Sequence, residues 1–329
     1  MKKSLIQRCE LLPVQAIATA LGFATLSNMW ATAAGFPGVR VTTMVLVTFV
    51  WLAAIIKMTV HYKAFKADYF LLIPSSLYAA FSMLTMLIGA FVFEYVPVLG
   101  QIIWLGGVTY HVCHLLIFTY RFVMKGVILD TFIPTWFVTY MGLLVSIVSG
   151  MPLGFRPILE VVMIYAYIVY PIILVAMIIR LLKKPLPAVV KPTGAIFLAP
   201  SSLFFVSYLN MTPEPNDAIV MVVYAIVFVT IIRVATLMHS YLRVPFGPGV
   251  AAITFPTAIA LVATFRMVGY LNGTGREELA VWLNHFFGIQ LFFTTAIMIY
   301  VGYRFFGPFY DSLKSPAASS TDYSAAKLD

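Results

Sequence analysis

Ile73-Pro74-Ser75-Ser76-Leu77 returns later in the chain as Ala199-Pro200-Ser201-Ser202-Leu203. Two shorter echoes, Ile133-Pro134-Thr135 and Phe255-Pro256-Thr257, fall between and after them, and Pro13 precedes them all. The five prolines are spaced by 61, 60, 66 and 56 residues. Self-similarity at a fixed period marks a repeated structural unit. Each unit here is almost wholly apolar, and about 20 apolar residues are enough to cross a bilayer as a helix. A period near sixty therefore reads as a pair of crossings with their connections, repeated five times.

Composition agrees. Of 329 residues, 62% are hydrophobic and only 10% charged, with a mean hydropathy of +0.97. A soluble domain is closer to half apolar and a quarter charged. Apolar runs place crossings at 12–33, 40–60, 70–93, 97–120, 131–151, 157–180, 193–211, 217–240, 247–265 and 280–304. The expectation is an all-α integral membrane protein. Its ten transmembrane helices form five repeated helical hairpins around a central pore, with both termini cytoplasmic. Residues 1–11 form a short cytoplasmic segment, 12–305 the membrane domain, and 306–329 a polar tail expected to be disordered. Met1-Lys2-Lys3 followed by apolar sequence and Ala31-Thr32-Ala33 mimics a cleaved secretory signal. Glu10 and Pro13 interrupt that pattern, and the segment is needed as the first crossing.

The net charge of +9 reports topology. With the termini inside, seventeen of the 21 Lys and Arg residues fall at the cytoplasmic face, and only Arg40, Arg156, Arg266 and Arg276 fall outside. That asymmetry is the positive-inside pattern, and it argues against nucleic acid as a partner. Cys9 and Cys113 are too few for a disulfide framework. Metal binding by His111 and His114 is outweighed by hydrogen bonding between helices. Gly-rich phosphate cradles, nucleophile–base arrangements and carboxylate pairs are missing, so the sequence supports no enzyme, cofactor or metal centre.

The odd-numbered segments differ from the even ones. They carry the repeated prolines and runs of small residues, such as Ala16, Ala18, Ala20, Gly22 and Ala24, which let helices approach closely. The even segments are bulkier, as a lipid-facing ring requires. Proline lacks an N–H and clashes with the carbonyl four residues back. Pro200 and Pro256 are expected well inside their helices, freeing the carbonyls of Ile196 and Ala252. Pro13, Pro74 and Pro134 read equally as helix starts or as kinks. No Asp, Glu, Lys, Arg or His occurs in residues 12–33, 71–93, 131–151, 193–211 or 247–265. The polar side chains available to the pore are Ser27, Ser75, Ser76, Thr135, Ser201, Ser202, Thr254 and Thr257, each of which either lines it or bonds to its own helix backbone. Arg266 stands at the outer end of the ninth segment, guarding that mouth or snorkelling. A lumen without ionisable relay groups favours a passive channel over a coupled pump, with anion concentration raised by the basic cytoplasmic mouth.

Leu21-Gly22-Phe23-Ala24-Thr25-Leu26-Ser27 with Trp30, Phe197-Leu198-Ala199-Pro200 and Thr254-Phe255-Pro256 resemble the tellurite-resistance/dicarboxylate transporter family. That family includes plant guard-cell slow anion channels and fungal malate and sulfite carriers. The resemblance spans about residues 11–305. It implies ten helices around an anion pathway, a homotrimer with one pore per subunit, and a pore plugged by the ninth-helix phenylalanine, which here is Phe255. Small inorganic or organic anions are the implied solutes, moved by a channel or, alternatively, by a carrier of dicarboxylates, sulfite or tellurite-like oxyanions. The chain lacks the long cytoplasmic termini on which kinases act in the plant channels. This compact form is read as a bacterial inner-membrane protein.

Overall fold

A computed structural model describes residues 5–244 and 248–314, and among these residues all regular structure is helical. Ten membrane-length segments follow one another: α1 Val14–Thr32, α2 Pro37–Thr59, α3 Leu72–Phe93, α4 Pro97–Met124, α5 Trp136–Leu153, α6 Arg156–Lys183, α7 Val190–Met211, α8 Asp217–Leu242, α9 Gly249–Gly273 and α10 Glu277–Phe305. Nine are long and apolar enough to cross a bilayer by themselves. The exception is α1, which qualifies only when joined to the short segment Leu5–Leu11, from which it bends by 96°. The helix of α10 continues to Lys314, so the first residues of the expected tail, 306–314, are helical; the rest of that tail lies outside the described residues.

Burial separates the helices into two classes. In α3, α5, α7 and α9, 67–89% of the apolar window is buried, against 17–44% in α2, α4, α6, α8 and α10. Thirteen of the 19 residues of α1 are buried as well. The inner helices touch in sequence, α1 to α3, α3 to α5, α5 to α7 and α7 to α9, and α9 returns to α1, so their contacts close a ring. Each outer helix packs on the inner helix before it and on the one after it, with α10 reaching back to α1. Outward-facing Phe49, Leu116, Val161, Val229 and Ile289 are each about two-thirds exposed, the surface a hydrocarbon phase requires.

A hydrogen bond from a Trp or Tyr of the outer helix pins each of four outer-to-next-inner contacts. Trp51 of α2 donates to Thr85 of α3 (2.8 Å), Trp104 of α4 to Ser149 of α5 (3.2 Å), Tyr170 of α6 to Ser201 of α7 (2.9 Å) and Tyr224 of α8 to Thr264 of α9 (3.2 Å). At the closing contact the direction reverses, and Trp30 of α1 donates to Thr295 of α10 at 3.0 Å. His111 of α4 bridges two inner helices, Ser82 of α3 at 2.7 Å and the Thr139 carbonyl of α5 at 2.9 Å. Such bonds contribute about 0.6–2 kcal/mol each in a membrane, where packing rather than the hydrophobic effect holds helices together.

The prolines sit where helices restart. Pro13 precedes the first turn of α1, Pro74 is the third residue of a short helix 72–77 that breaks before residue 79, and Pro134 lies in a turn before residue 136. Pro256 is not deep in a continuous helix as expected, and Pro200 lies inside its helical run where that run changes type. A 3₁₀ stretch, Ala188–Phe197, leads into an α-helix at Leu198, and Pro248–Ala251 is separated by a turn from the helix beginning at Thr254. Pro256 is thus third in a new helix, where its missing N–H has no intrahelical partner to lose. The crossing α9 is broken by a turn upstream of its proline, whereas α7 changes there from 3₁₀ to α-helix without a gap.

Within the α3–α4 hairpin the backbones touch. A Cβ on Gly100 would lie 2.3 Å from the Phe93 nitrogen, and one on Gly89 would lie 2.6 Å from the Trp104 nitrogen, whereas Gly106 has open space. Gly100→Ala is therefore expected to destabilise the protein by about 1–3 kcal/mol through overpacking, while Gly106→Ala leaves it unchanged. Thermal unfolding of both variants in detergent checks this, and equal melting temperatures would count against the close-approach account.

Candidate functional site

The centre of the inner ring holds a cavity of about 30 Å³, room for a water molecule or two. All five inner helices contribute to its wall. Ala18 and Leu21 come from α1; Leu77, Ala80 and Met83 from α3; Phe137, Val138 and Gly142 from α5; Ile196, Ala199 and Leu203 from α7; and Ala251, Ala252, Phe255 and Pro256 from α9. Every lining side chain is apolar. Ala252 and Phe255 both line the cavity where α9 restarts. Phe255 is only 6% exposed.

The eight hydroxyls picked from sequence are all buried, and none is among the residues lining this cavity. Ser27 donates to the Ala24 carbonyl and Ser76 to the Ile73 carbonyl, both at 2.9 Å. Thr254 donates to Ala251 (2.7 Å), and Thr257 to Ile253 and Thr254 (each 2.9 Å). Ser201 faces the outer ring as the partner of Tyr170. Ser75, Thr135 and Ser202 have no hydrogen-bond partner among the described residues. Local back-bonding thus accounts for four of the eight, as short hydroxyl side chains in helices allow.

Sequence reading missed the features that seat Phe255. Gly22 of α1 lies against the start of α9, where an added Cβ would come within 2.9 Å of the Thr254 Cβ and 3.0 Å of the Phe255 nitrogen. Thr254 also reaches the Ala18 carbonyl of α1 at 3.4 Å. At the lysine-rich end, Lys57 is buried rather than a surface cation. Its ammonium donates to the Leu12 carbonyl at 2.7 Å and to Asp68 at 2.6 Å, tying down the bend that precedes Pro13. Nearby, Tyr69 hydrogen-bonds to His114 at 2.7 Å, and Arg121 donates to the Tyr69 carbonyl at 2.9 Å. Burial pushes the Tyr69 phenol up to about 12, against the opposing pull of Arg121. Among the described residues no group of three or more His, Cys, Asp or Glu is placed to hold a metal.

At the opposite end the four arginines have different partners. Arg40 pairs with Glu94 and donates to Asn28 at 2.7 Å. Arg156 pairs with Glu160 at 3.0 Å and Arg276 with Asp217 at 2.6 Å. Arg266 donates to the neutral amide oxygen of Asn210 at 2.6 Å.

The sequence profile of the voltage-dependent anion channel family matches residues 12–306. The chain belongs to that family. No curated protein sequence matches it significantly. Membership agrees with the resemblance read from the motifs and makes this a multi-pass membrane protein whose general business is anion movement, by channel or transporter. The family match covers every element of the inner ring, so the central cavity and Phe255 lie within the shared region.

Gly22 offers a direct handle on the site. Gly22→Val is expected to push α1 away from the Phe255 backbone, because the obstructing atoms on α9 include main chain. Lower thermal stability together with an altered anion current is the expected result, with Gly269→Ala, which meets open space, as the unaffected control.

Proposed function

We propose that the protein is a passive anion channel whose pathway runs through the inner ring and is occluded by Phe255. The observation that carries this reading is the cavity itself, a narrow apolar space lined by all five inner helices with Phe255 among the lining residues. An aromatic ring in such a space blocks ions by filling it and by keeping it dry. Moving the ring aside need cost only a few kcal/mol to work as a switch between closed and open populations. The absence of Asp, Glu, Lys, Arg and His from the cavity wall supports conduction over proton-coupled pumping. Weak, low-specificity passage follows, in which an anion that dehydrates easily passes more readily. The family resemblance further supports five repeated hairpins and a homotrimer with one pathway per subunit. The seventeen-to-four split of cations supports a cytoplasmic lysine-rich face and cytoplasmic termini. Nothing in this reading calls for catalysis or a bound cofactor. Pro74, Pro134, Pro200 and Pro256 act in it by restarting the helices that frame the lumen. Of the eight hydroxyls, Ser75, Thr135 and Ser202 are unclaimed by protein partners among the described residues and are the reserve donors in this reading.

Planar-bilayer currents under a chloride or nitrate gradient test the proposal. Small wild-type currents and currents on the order of tenfold larger or more in Phe255→Ala are expected, since each 1.4 kcal/mol removed from a barrier is a factor of ten. The reversal potential should follow the anion. Silence from both proteins, with saturable and pH-dependent uptake of labelled malate or sulfite into liposomes, would replace the channel with a carrier and reduce Phe255 to a packing residue.

A further inference from the structure

We infer that Arg266 and Asn210 form an anion-capture station at the mouth opposite the lysine-rich face, one that receives small planar oxyanions ahead of halides. The inference rests on the pathway proposed above and adds to it a specific entry site. Helix geometry supplies the first argument. At 3.6 residues per turn, positions eleven apart lie on the same face about three turns, or about 16 Å, from each other. Arg266 is eleven residues beyond Phe255, and Asn210 is eleven residues beyond Ala199, both of which line the central cavity. The remaining faces are accounted for independently. Thr264 and Phe265 of α9 turn outward to Tyr224 of α8 and Phe287 of α10. Ser201 and Phe204 of α7 turn outward to Tyr170 of α6. Arg266 and Asn210 therefore cap the inward stripes of two adjacent inner helices, and they meet each other there at 2.6 Å.

Charge supplies the second argument. Arg40, Arg156 and Arg276, the other arginines of this end, are each matched with a carboxylate. Among the described residues Arg266 has no carboxylate partner, so its full positive charge is presented at the end of an otherwise uncharged stripe. Among the described residues only one of its five guanidinium N–H donors is used, by the Asn210 oxygen. That bond also fixes the Asn210 amide with its N–H₂ group unclaimed by the described protein. A planar fork beside an amide donor matches the geometry of a planar oxyanion, which it can hold through two parallel hydrogen bonds. A halide takes the charge but not the fork. Solvent exposure keeps such capture weak, as a pathway requires if the ion is to move on.

The test reads binding and conduction separately. In the purified full-length protein, an arginine-directed dicarbonyl reagent is applied with and without nitrate, and modification is followed peptide by peptide by mass spectrometry. Nitrate is expected to slow modification of Arg266 by roughly three- to tenfold, about 0.7–1.4 kcal/mol of occupancy, and equimolar chloride by less. Arg276, held by Asp217, is the internal control. No slowing at Arg266, or equal slowing at both arginines, overturns the inference whatever the currents show. In bilayers, Arg266→Gln is expected to raise the half-saturating nitrate concentration several-fold from its own side and leave the lysine-rich side unchanged, with Arg266→Lys restoring chloride better than nitrate. A symmetric change from both sides would also overturn it. Protection of Arg266 alongside complete electrical silence, Phe255→Ala included, supports the site and sinks the channel reading instead.

Discussion

The contact between α1 and α9 joins segments far apart in the chain, with Thr254 reaching the Ala18 carbonyl across 236 residues of sequence. Closure of the inner ring depends on it. Gly22 permits it, because any larger residue would meet Thr254 and the Phe255 main chain. Once the ring is closed, each inner helix has a neighbour on both sides and an outer helix across each groove. Such multiple support matters in a bilayer, where unpaired polar backbone has no water to turn to. The turn ahead of Pro256 and the change of helix type ahead of Pro200 are tolerated because they lie inside this ring and not against lipid.

The hydroxyls of the inner helices divide the labour of the fold in an informative way. Thr85, Ser149, Ser201 and Thr264 are taken up by Trp and Tyr donors from the outer ring. Ser27, Ser76, Thr254 and Thr257 are folded back onto their own helices. Polar atoms therefore fasten the wall and leave the central cavity apolar. Charge is confined to the two ends, with lysines concentrated at one and carboxylate-matched arginines, plus Arg266, at the other. On the pathway proposed above, a solute would meet attraction at the entrances and a dry constriction between them.

Much of this was legible in the sequence. The proline period, the small residues of odd segments and the bulk of even ones anticipated which helices are buried, because lipid and protein neighbours select different side chains. The Leu-Gly-Phe, Ala-Pro and Thr-Phe-Pro motifs led to the family later matched over residues 12–306. The direction of individual hydroxyls was not legible. A shift of one residue in helix phase turns a side chain by about 100°, and broken helices reset that phase at Leu198 and Thr254. The burial of Lys57 was equally hidden, since its partners, the Leu12 carbonyl and Asp68, depend on how the chain bends before Pro13. The meeting of Asn210 and Arg266 required knowing that α7 and α9 are neighbours in the ring.

The modest hydropathy of α1 carries a consequence for how the chain comes to reside in the membrane. Alone among the ten crossings, α1 does not qualify as a span without the preceding bent segment, and Thr19, Thr25 and Ser27 are buried along it. In the finished protein α1 is enclosed by α2, α3, α9 and α10, so its polar atoms rarely confront acyl chains. Its residence at membrane depth is thus a property of the assembled bundle and not of its own partitioning between water and lipid. The earliest of these ten crossings is held in place by the last two of them, which makes its placement provisional until α9 and α10 have been made.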